Sequence, residues 1–285
     1  MPTLSFDDIN MHYEVYGSGP PIFLHHGLSS SCQGWYDHLP WLIKKYQIII
    51  HDARGHGLTT APAGDDRYSY EIMCDDLNRL LEHLSVEKAI IGGVSMGGAV
   101  CHTFALKYPQ KVRALILSDT AGTRIPPRQS TVTREQVQSQ LEERERVIRE
   151  YGVVELGRYA LASGLMPRQV LEDEKLQQDY LERCSRWSVN GAIYVSRFVF
   201  RTAVPGVERS KDLTMPTFII IGEEDVTSGP GAEWLRDILP NRRYAFLKGV
   251  GHNTPRYKPE AWRKAVGDFL DDLEQGKDIR GEVVV

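Results

Sequence analysis

The densest chemistry in the chain lies in Gly92-Gly93-Val94-Ser95-Met96-Gly97-Gly98, whose centre is a G-x-S-x-G motif. An apolar run, Ala89–Ile91, leads in, and a helical pattern over residues 99–108, stopped by Pro109, leads out. A serine between a strand and a helix can be held on a sharp turn with its hydroxyl exposed, as a nucleophile requires. Gly93 and Gly97 remove the side chains that would collide where strand and helix cross. A serine hydroxyl stays a weak nucleophile until a base takes its proton, and histidine suits that role near neutral pH. Among nine histidines, His252 stands in a glycine-flanked loop, Gly249-Val250-Gly251-His252, between the last apolar run and the last helical pattern. Asp225, in Gly222-Glu223-Glu224-Asp225 after another apolar run, precedes it by 27 residues and is the expected acid. An acid there would fix the imidazole tautomer and stabilise the imidazolium. Asp119, 24 residues after Ser95 at the end of Ala114–Ser118, is the rival.

An oxyanion formed at such a serine needs two preorganised donors. The backbone N–H of Met96, next to the nucleophile, supplies one. Leu28, in His25-His26-Gly27-Leu28 after the run Ile22–Leu24, supplies the other. His26 is expected to brace this loop. Asp52, Arg54 and His56, in Asp52-Ala53-Arg54-Gly55-His56-Gly57, are read as a loop-stabilising network. Trp35, Met96, Trp187, Tyr194 and Phe198 could line a pocket, though aromatic residues at helical spacing are mostly core. Arg124, Arg128 and Arg158 could meet a substrate carboxylate, but solvated positions suit them better.

The elements that must place these residues are short apolar strands alternating with longer amphipathic helices, the pattern of a mostly parallel sheet covered by helices. The runs Ile22–Leu24, Ile48–Ile50, Ala89–Ile91, Ala114–Leu117 and Phe218–Ile221 are uniform, as doubly covered parallel strands should be. Tyr244–Leu247 is a less regular sixth. Thr3–Asp7 and Met11–Tyr16 alternate apolar with polar, as an antiparallel edge hairpin would. Helical spacing marks residues 70–84 and 259–273. From 122 to 214 no strand-like run occurs. The division expected is a core of 1–121 with 215–285 and a helical cap, or lid, over 122–214. Thr133 with Gln136 reads as a capping box, with Val137, Leu141, Ile148 and Tyr151 on one face and Gly152 at the end. The mixed run Glu142–Arg146 reads as a solvated face.

A chain of 285 residues with 41% hydrophobic and 25% charged residues is ordinary for a globular protein. Lys plus Arg number 34 against 38 Asp plus Glu, so no basic excess exists to neutralise phosphates, and a nucleic-acid partner is not expected. No run approaches a membrane span, and the first residues lack the basic and apolar regions of a secretory signal. Cys32, Cys74, Cys101 and Cys184 form no C-x-x-C pair and read as free thiols in a reducing, cytoplasmic compartment. The expected partner is a small-molecule substrate. A homo-oligomer stays open. No motif calls for a cofactor or a metal: His25-His26 and His51-Asp52 with His56 lack the i, i+4 helical pair of a zinc hydrolase. A ligand receptor or inert scaffold on the same fold is the alternative of another class.

The H-G loop, D-x-R-G-H-G-x-[ST], G-V-S-M-G-G, the strand-end G-x-x-D and the late G-x-G-H together resemble the α/β-hydrolase superfamily in order and spacing, over residues 10 to 272. Within it the chain is similar to the branch of 3-oxoadipate enol-lactonases, haloperoxidase-like esterases and C–C hydrolases of ring-cleavage products. The resemblance implies an α/β fold with an eight-stranded, mostly parallel sheet, helices on both faces and a helical cap. It also implies a Ser95/Asp225/His252 triad, oxyanion donors at Leu28 and Met96, and hydrolysis of a carboxylic ester or lactone through an acyl-enzyme. Serine at the elbow argues against the haloalkane dehalogenases and epoxide hydrolases, which use aspartate. C–C bond hydrolysis is the alternative within the family, and Val94, where ring-cleavage hydrolases often carry Asn, departs from it.

Overall fold

Each apolar run becomes a strand, and period-two alternation sorts its side chains onto two faces. The computed structural model describes residues 2–120, 133–164 and 166–285. Its strands are β1 (Thr3–Phe6), β2 (Ile9–Tyr16), β3 (Pro21–His25), β4 (Gln47–His51), β5 (Ala89–Val94), β6 (Val112–Ser118), β7 (Thr217–Gly222), β8 (Arg242–Leu247) and β9 (Gly281–Val284). They form one sheet in the order β1-β2-β4-β3-β5-β6-β7-β8-β9. Only β2 runs against the rest. Eight strands meet the sequence expectation, and β9 is added at the edge. Its four residues are all exposed, and its valines form a run shorter than those of the buried strands.

The helices are α1 (Leu39–Leu42), α2 (Tyr70–His83), α3 (Met96–Lys107), α4 (Arg134–Tyr151), α5 (Val153–Ala162), α6 (Arg168–Leu171), α7 (Glu174–Ser185), α8 (Ser196–Arg201), α9 (Gly229–Ile238), α10 (Thr254–Tyr257) and α11 (Pro259–Glu274). Phe23, Ile49, Ile91, Leu115, Leu117, Ile219 and Ile221 pack on one side with α2, α3 and α9. Ile22, Leu24, Ile48, Ile50, Ile90, Ile116, Phe218 and Ile220 pack on the other with Leu42, Trp262, Val266 and Phe269. Both faces are dry, as expected of parallel strands.

Between β6 and β7 the described residues contain helices and turns and no strand. The capping box forms: the Gln136 amide nitrogen donates to Thr133 Oγ1 at 3.2 Å, and Gln136 Oε1 accepts from the Thr133 N–H at 2.7 Å. Leu141 and Ile148 are buried, but Tyr151 is 58% exposed. Along 142–146, Arg146 pairs with Glu143 in solvent, whereas Arg144 and Glu145 turn toward Ser196 and Arg197 of α8 and are half-buried. Residues 121–132, with Arg124 and Arg128, lie outside the described residues. All four cysteines are buried and free. Among the described residues no helix is long and apolar enough to cross a membrane.

Candidate active site

The chain crosses from β4 back over β3 to β5, so the carboxyl ends of β3 and β5 flank a topological switch point, where ligands bind in open α/β sheets. Pairing of Leu24 with Gly92 and His25 with Gly93 sets the β3 loop beside the turn after β5. Ser95 sits on that turn with φ 55° and ψ −120°, a conformation that strains a non-glycine residue by about 1–3 kcal/mol. α3 begins at the next residue, three positions earlier than the helical pattern indicates, because the strained serine itself makes the corner. Gly93 clears the strand–helix crossing as expected, whereas Gly97 makes room for the loop after β3. A Cβ on Gly93 would lie 2.5 Å from the Gly97 carbonyl carbon, and one on Gly97 would lie 2.4 Å from the His26 carbonyl oxygen.

Ser95 Oγ lies 2.9 Å from His252 Nε2, and His252 Nδ1 lies 2.8 Å from Asp225 Oδ2. With Nδ1–H donating to the carboxylate, Nε2 is left to accept from the serine. Asp225 Oδ1 accepts the Thr227 and Ser228 N–H groups, each at 3.0 Å, which fixes the carboxylate's rotation. Burial works to raise the Asp225 pKa, but the bonds from His252 and these amides outweigh it and the pKa is lowered. Burial opposes the imidazolium of His252, yet the Asp225 bond and charge, with the charge of Asp119, hold its pKa above the usual histidine value. The protonated imidazole is thereby stabilised, a property that accepting a proton from a serine would use.

Asp119 does not touch the imidazole. Its Oδ2 accepts the Thr254 N–H at 2.6 Å and the Thr254 hydroxyl at 2.8 Å, and its Oδ1 accepts the Gly222 N–H at 3.3 Å. It therefore ties the end of β7 to the loop after His252. Burial pushes its carboxyl up to about 7. Ser228, which no sequence signal marked, donates to the Asp119 carbonyl at 2.9 Å and lies 3.3 Å from His252 Nδ1.

Gly27 faces Ser95: a Cβ there would stand 3.5 Å from Ser95 Cβ. Leu28 follows it, and Met96 is the first residue of α3, so its N–H is one of the donors a helix start leaves unpaired. Neither the Leu28 nor the Met96 amide has a hydrogen-bond acceptor among the described residues. His26 braces the loop as expected. Its Nε2 accepts the Ala53 N–H at 3.0 Å and its Nδ1 donates to the Gly27 carbonyl at 2.8 Å. Asp52 takes the Cys32 and Leu58 amides at 2.7 and 2.8 Å, and Arg54 grips Asp76 bidentately at 2.6 and 2.7 Å. Asp76 was not visible as that partner, because it lies on α2, 22 residues away.

Of the expected pocket residues, Trp35 packs on Trp262 and Trp187 stacks on His56. Tyr194 stacks on Tyr68, and Phe198 meets Tyr70 edge-on. Trp35 and Trp187 also line clefts beside the β3 loop. Arg158 pairs with Glu155 at 2.9 Å in solvent. Among the described residues, His12, Glu14 and Cys32 bring ligand-type atoms within 4.8 Å of one another. There the Glu14 carboxylate already accepts from His12 at 3.0 Å, Tyr16 at 2.7 Å and Tyr36 at 2.8 Å, which describes a proton-bonded network.

A family model described as the alpha/beta hydrolase fold matches residues 20–255, and the chain belongs to that family. It is 23% identical over 268 residues to 3-oxoadipate enol-lactonase 2 of Acinetobacter baylyi, covering 93% of this chain and 94% of that one. It is 25% identical over 284 residues to the putative 2-succinyl-6-hydroxy-2,4-cyclohexadiene-1-carboxylate synthase of Bacillus subtilis, covering 92% and 96%. Among solved structures, a chain from a study of carboxylesterases of the thaumarchaeon Nitrososphaera gargenis superposes with a TM-score of 0.85 at 23% identity, covering 96% of this chain and 100% of that one. The enol-lactonase of Burkholderia xenovorans gives 0.81 at 20% identity, covering 95% and 100%.

Proposed function

We propose that this α/β-hydrolase cleaves carboxylic esters or lactones through an acyl-enzyme on Ser95, with His252 as base and Asp225 as the acid that orients it. The observation that carries the reading is the unbroken line of contacts from Asp225 Oδ2 through His252 to Ser95 Oγ, at 2.8 and 2.9 Å. His252 Nε2 takes the hydroxyl proton as Ser95 Oγ bonds to the acyl carbon. The carbonyl oxygen becomes an oxyanion received by the Leu28 and Met96 amides. Collapse breaks the bond to the alcohol oxygen, which leaves with the proton from His252. Water then repeats the sequence and frees the acid. Asp225 stays ionised throughout. Curated relatives and solved neighbours whose names include enol-lactonase and carboxylesterase support this class of substrate. Helices α4 to α8, within the expected cap of 122–214, are proposed to cover the site and set substrate choice.

Turnover of p-nitrophenyl acetate or butyrate by the intact chain tests the reading. Ser95→Ala should lower kcat by about 10⁶-fold and abolish labelling by a fluorophosphonate. Turnover that survives Ser95→Ala but is lost to EDTA would overturn it.

A further inference from the structure

His252 stands on a loop that its own residues hold loosely. Gly249 and Asn253 bend the loop at either end with φ of 62° and 76°. Gly251, beside the histidine, adds a second residue of wide backbone freedom. Such a loop places a base accurately only where outside groups fix its backbone. The sheet side supplies three of these. Glu223 Oε2 accepts the Gly249 N–H at 2.8 Å, the Val250 carbonyl accepts the Glu224 N–H at 2.9 Å, and Asp119 holds Thr254.

The helices between β6 and β7 supply further ones. On α6, Gln169 Nε2 donates to the Gly249 carbonyl at 3.0 Å and to Glu224 Oε2 at 3.3 Å. Both neighbours are acceptors, so the amide can face them only with its NH2. Its Oε1 lies by Gly251, where a Cβ would stand 3.7 Å from it and 3.3 Å from Pro167 Cβ. One amide thus joins the residue before Asp225 to the loop that carries His252. On α7, the Asp179 carboxylate takes Arg256, four residues past His252, through Nε at 3.0 Å and through Nη2. The Arg168–Glu224 pair beside Gln169 is solvent-exposed on the arginine side and adds little.

We propose, resting on the serine-hydrolase reading above, that Gln169 is a positioning residue for the base, holding the Gly249 carbonyl against the turn that carries Asp225. Seating of α6 and alignment of His252 with Ser95 are then one event. The segment between β6 and β7 acts on the chemical step as well as on substrate choice. Gln169 works through Gly249 and not on the substrate, so its contribution belongs in kcat and not in KM.

The test compares Gln169→Met, which keeps the bulk and loses the donor, with Gln169→Lys, which keeps a donor within reach of the same two acceptors. Gln169→Met should lower kcat for p-nitrophenyl acetate and butyrate alike by about 3- to 10-fold, the worth of one partly exposed hydrogen bond, with KM unchanged. Labelling of Ser95 by a fluorophosphonate should slow by the same factor, because it needs the base but not the acyl pocket. Gln169→Lys should restore both rates. Hydrogen exchange over residues 249–253 reads the loop without turnover and should quicken in Gln169→Met alone. Unchanged exchange would overturn the proposal whatever chemistry Ser95 performs, and so would kcat and labelling unmoved in Gln169→Met. A wild type whose Ser95 takes no label would overturn the serine-hydrolase reading instead. Equal losses in both variants would mark a packing contact, and a loss confined to one ester with labelling unmoved would mark a pocket wall. Either result also overturns the proposal.

Discussion

Two aspartates lie near one imidazole, and hydrogen bonding separates their roles. Asp225 bonds Nδ1 directly, while Asp119 acts through Thr254, Gly222 and its own charge. Asp225→Asn should leave the fold intact and lower kcat by about 10⁴-fold, because an amide facing Nδ1 favours the wrong tautomer. Asp119→Asn should cost the plateau kcat far less. It removes a charge that holds the imidazolium while Asp119 is ionised, which fades as pH drops below about 7, so the His252 pKa drops modestly. The base works only when neutral, so the acid limb of the kcat/KM profile moves to lower pH. The amide must also turn its NH2 toward either the Gly222 or the Thr254 donor, a clash expected to destabilise the fold by about 1–3 kcal/mol. Rate profiles of both variants, with circular dichroism to verify folding, check the ranking, and the reverse order would move the acid role to Asp119. The sequence ranked Asp225 above Asp119 by strand-end position and spacing. It could not show the Thr254 clamp, because 135 residues part Asp119 from Thr254 and no local pattern records that contact.

The elements were legible in proportion to how much their residues are buried. β3, β4, β5 and β7 have apolar interiors on both faces, and their runs stand out. β9 is exposed throughout and follows a charged stretch, so pairing with β8 is decided by a neighbour and not by its own side chains. The helices after β6 were legible as helices, but their docking was not, since it rests on residues without a periodic signature. Gly191 opens a π-helical turn over Gly191–Val195, and a Cβ on it would stand 1.7 Å from the Gly55 carbonyl oxygen. That carbonyl also accepts from Trp187 Nε1 at 3.0 Å, and Asn190 Nδ2 donates to the Ala61 carbonyl at 3.1 Å. The Arg54–Thr59 loop and this helical turn therefore meet backbone to backbone. Gly191→Ala should push them apart, destabilising the protein by about 1–3 kcal/mol as overpacking does. Hydrogen exchange should quicken over residues 187–195 and 53–61, with a rise in KM. Unchanged exchange and KM would show that the contact does not hold the helices in place.

At the scale of the whole molecule, the unusual investment is in neutral buried histidine. His25, His26, His51 and His56 form one ring-to-ring cluster under the β3 and β4 ends, with centroids 4.7 Å apart for His25 and His51 and 4.9 Å for His26 and His56. His38 and His102 are buried separately. Burial lowers the pKa of all six, to about 3 for His25 and about 4 for His38 and His102. Neither ring nitrogen of His51 has a hydrogen-bond partner among the described residues, so none of these stabilises a proton there. In the unfolded chain each titrates near 6.5. Below that pH the unfolded state binds more protons than the folded one, and stability falls with pH by about 1.4 kcal/mol per unit for each such group. Above it the groups are neutral in both states and the effect vanishes. Asp119 works in the opposite sense: its raised pKa makes the fold take up a proton between about 7 and its unfolded value of 3.8, which stabilises the fold as pH drops. Two raised carboxyls, Asp119 and Asp76, with the raised His252 do not offset six depressed imidazoles, so unfolding should set in between about pH 6 and 4, above the range where ordinary surface carboxylates titrate. His51→Phe removes one of the six, with Phe23 beside it. The urea-unfolding free energy of this variant, plotted from pH 6.5 down to 4.5, should lose about 1.4 kcal/mol per pH unit of the wild-type slope, whatever the substitution does to stability at neutral pH. Parallel slopes for the two proteins would mean that His51 is protonated alike in the folded and unfolded states, and that acid sensitivity lies elsewhere.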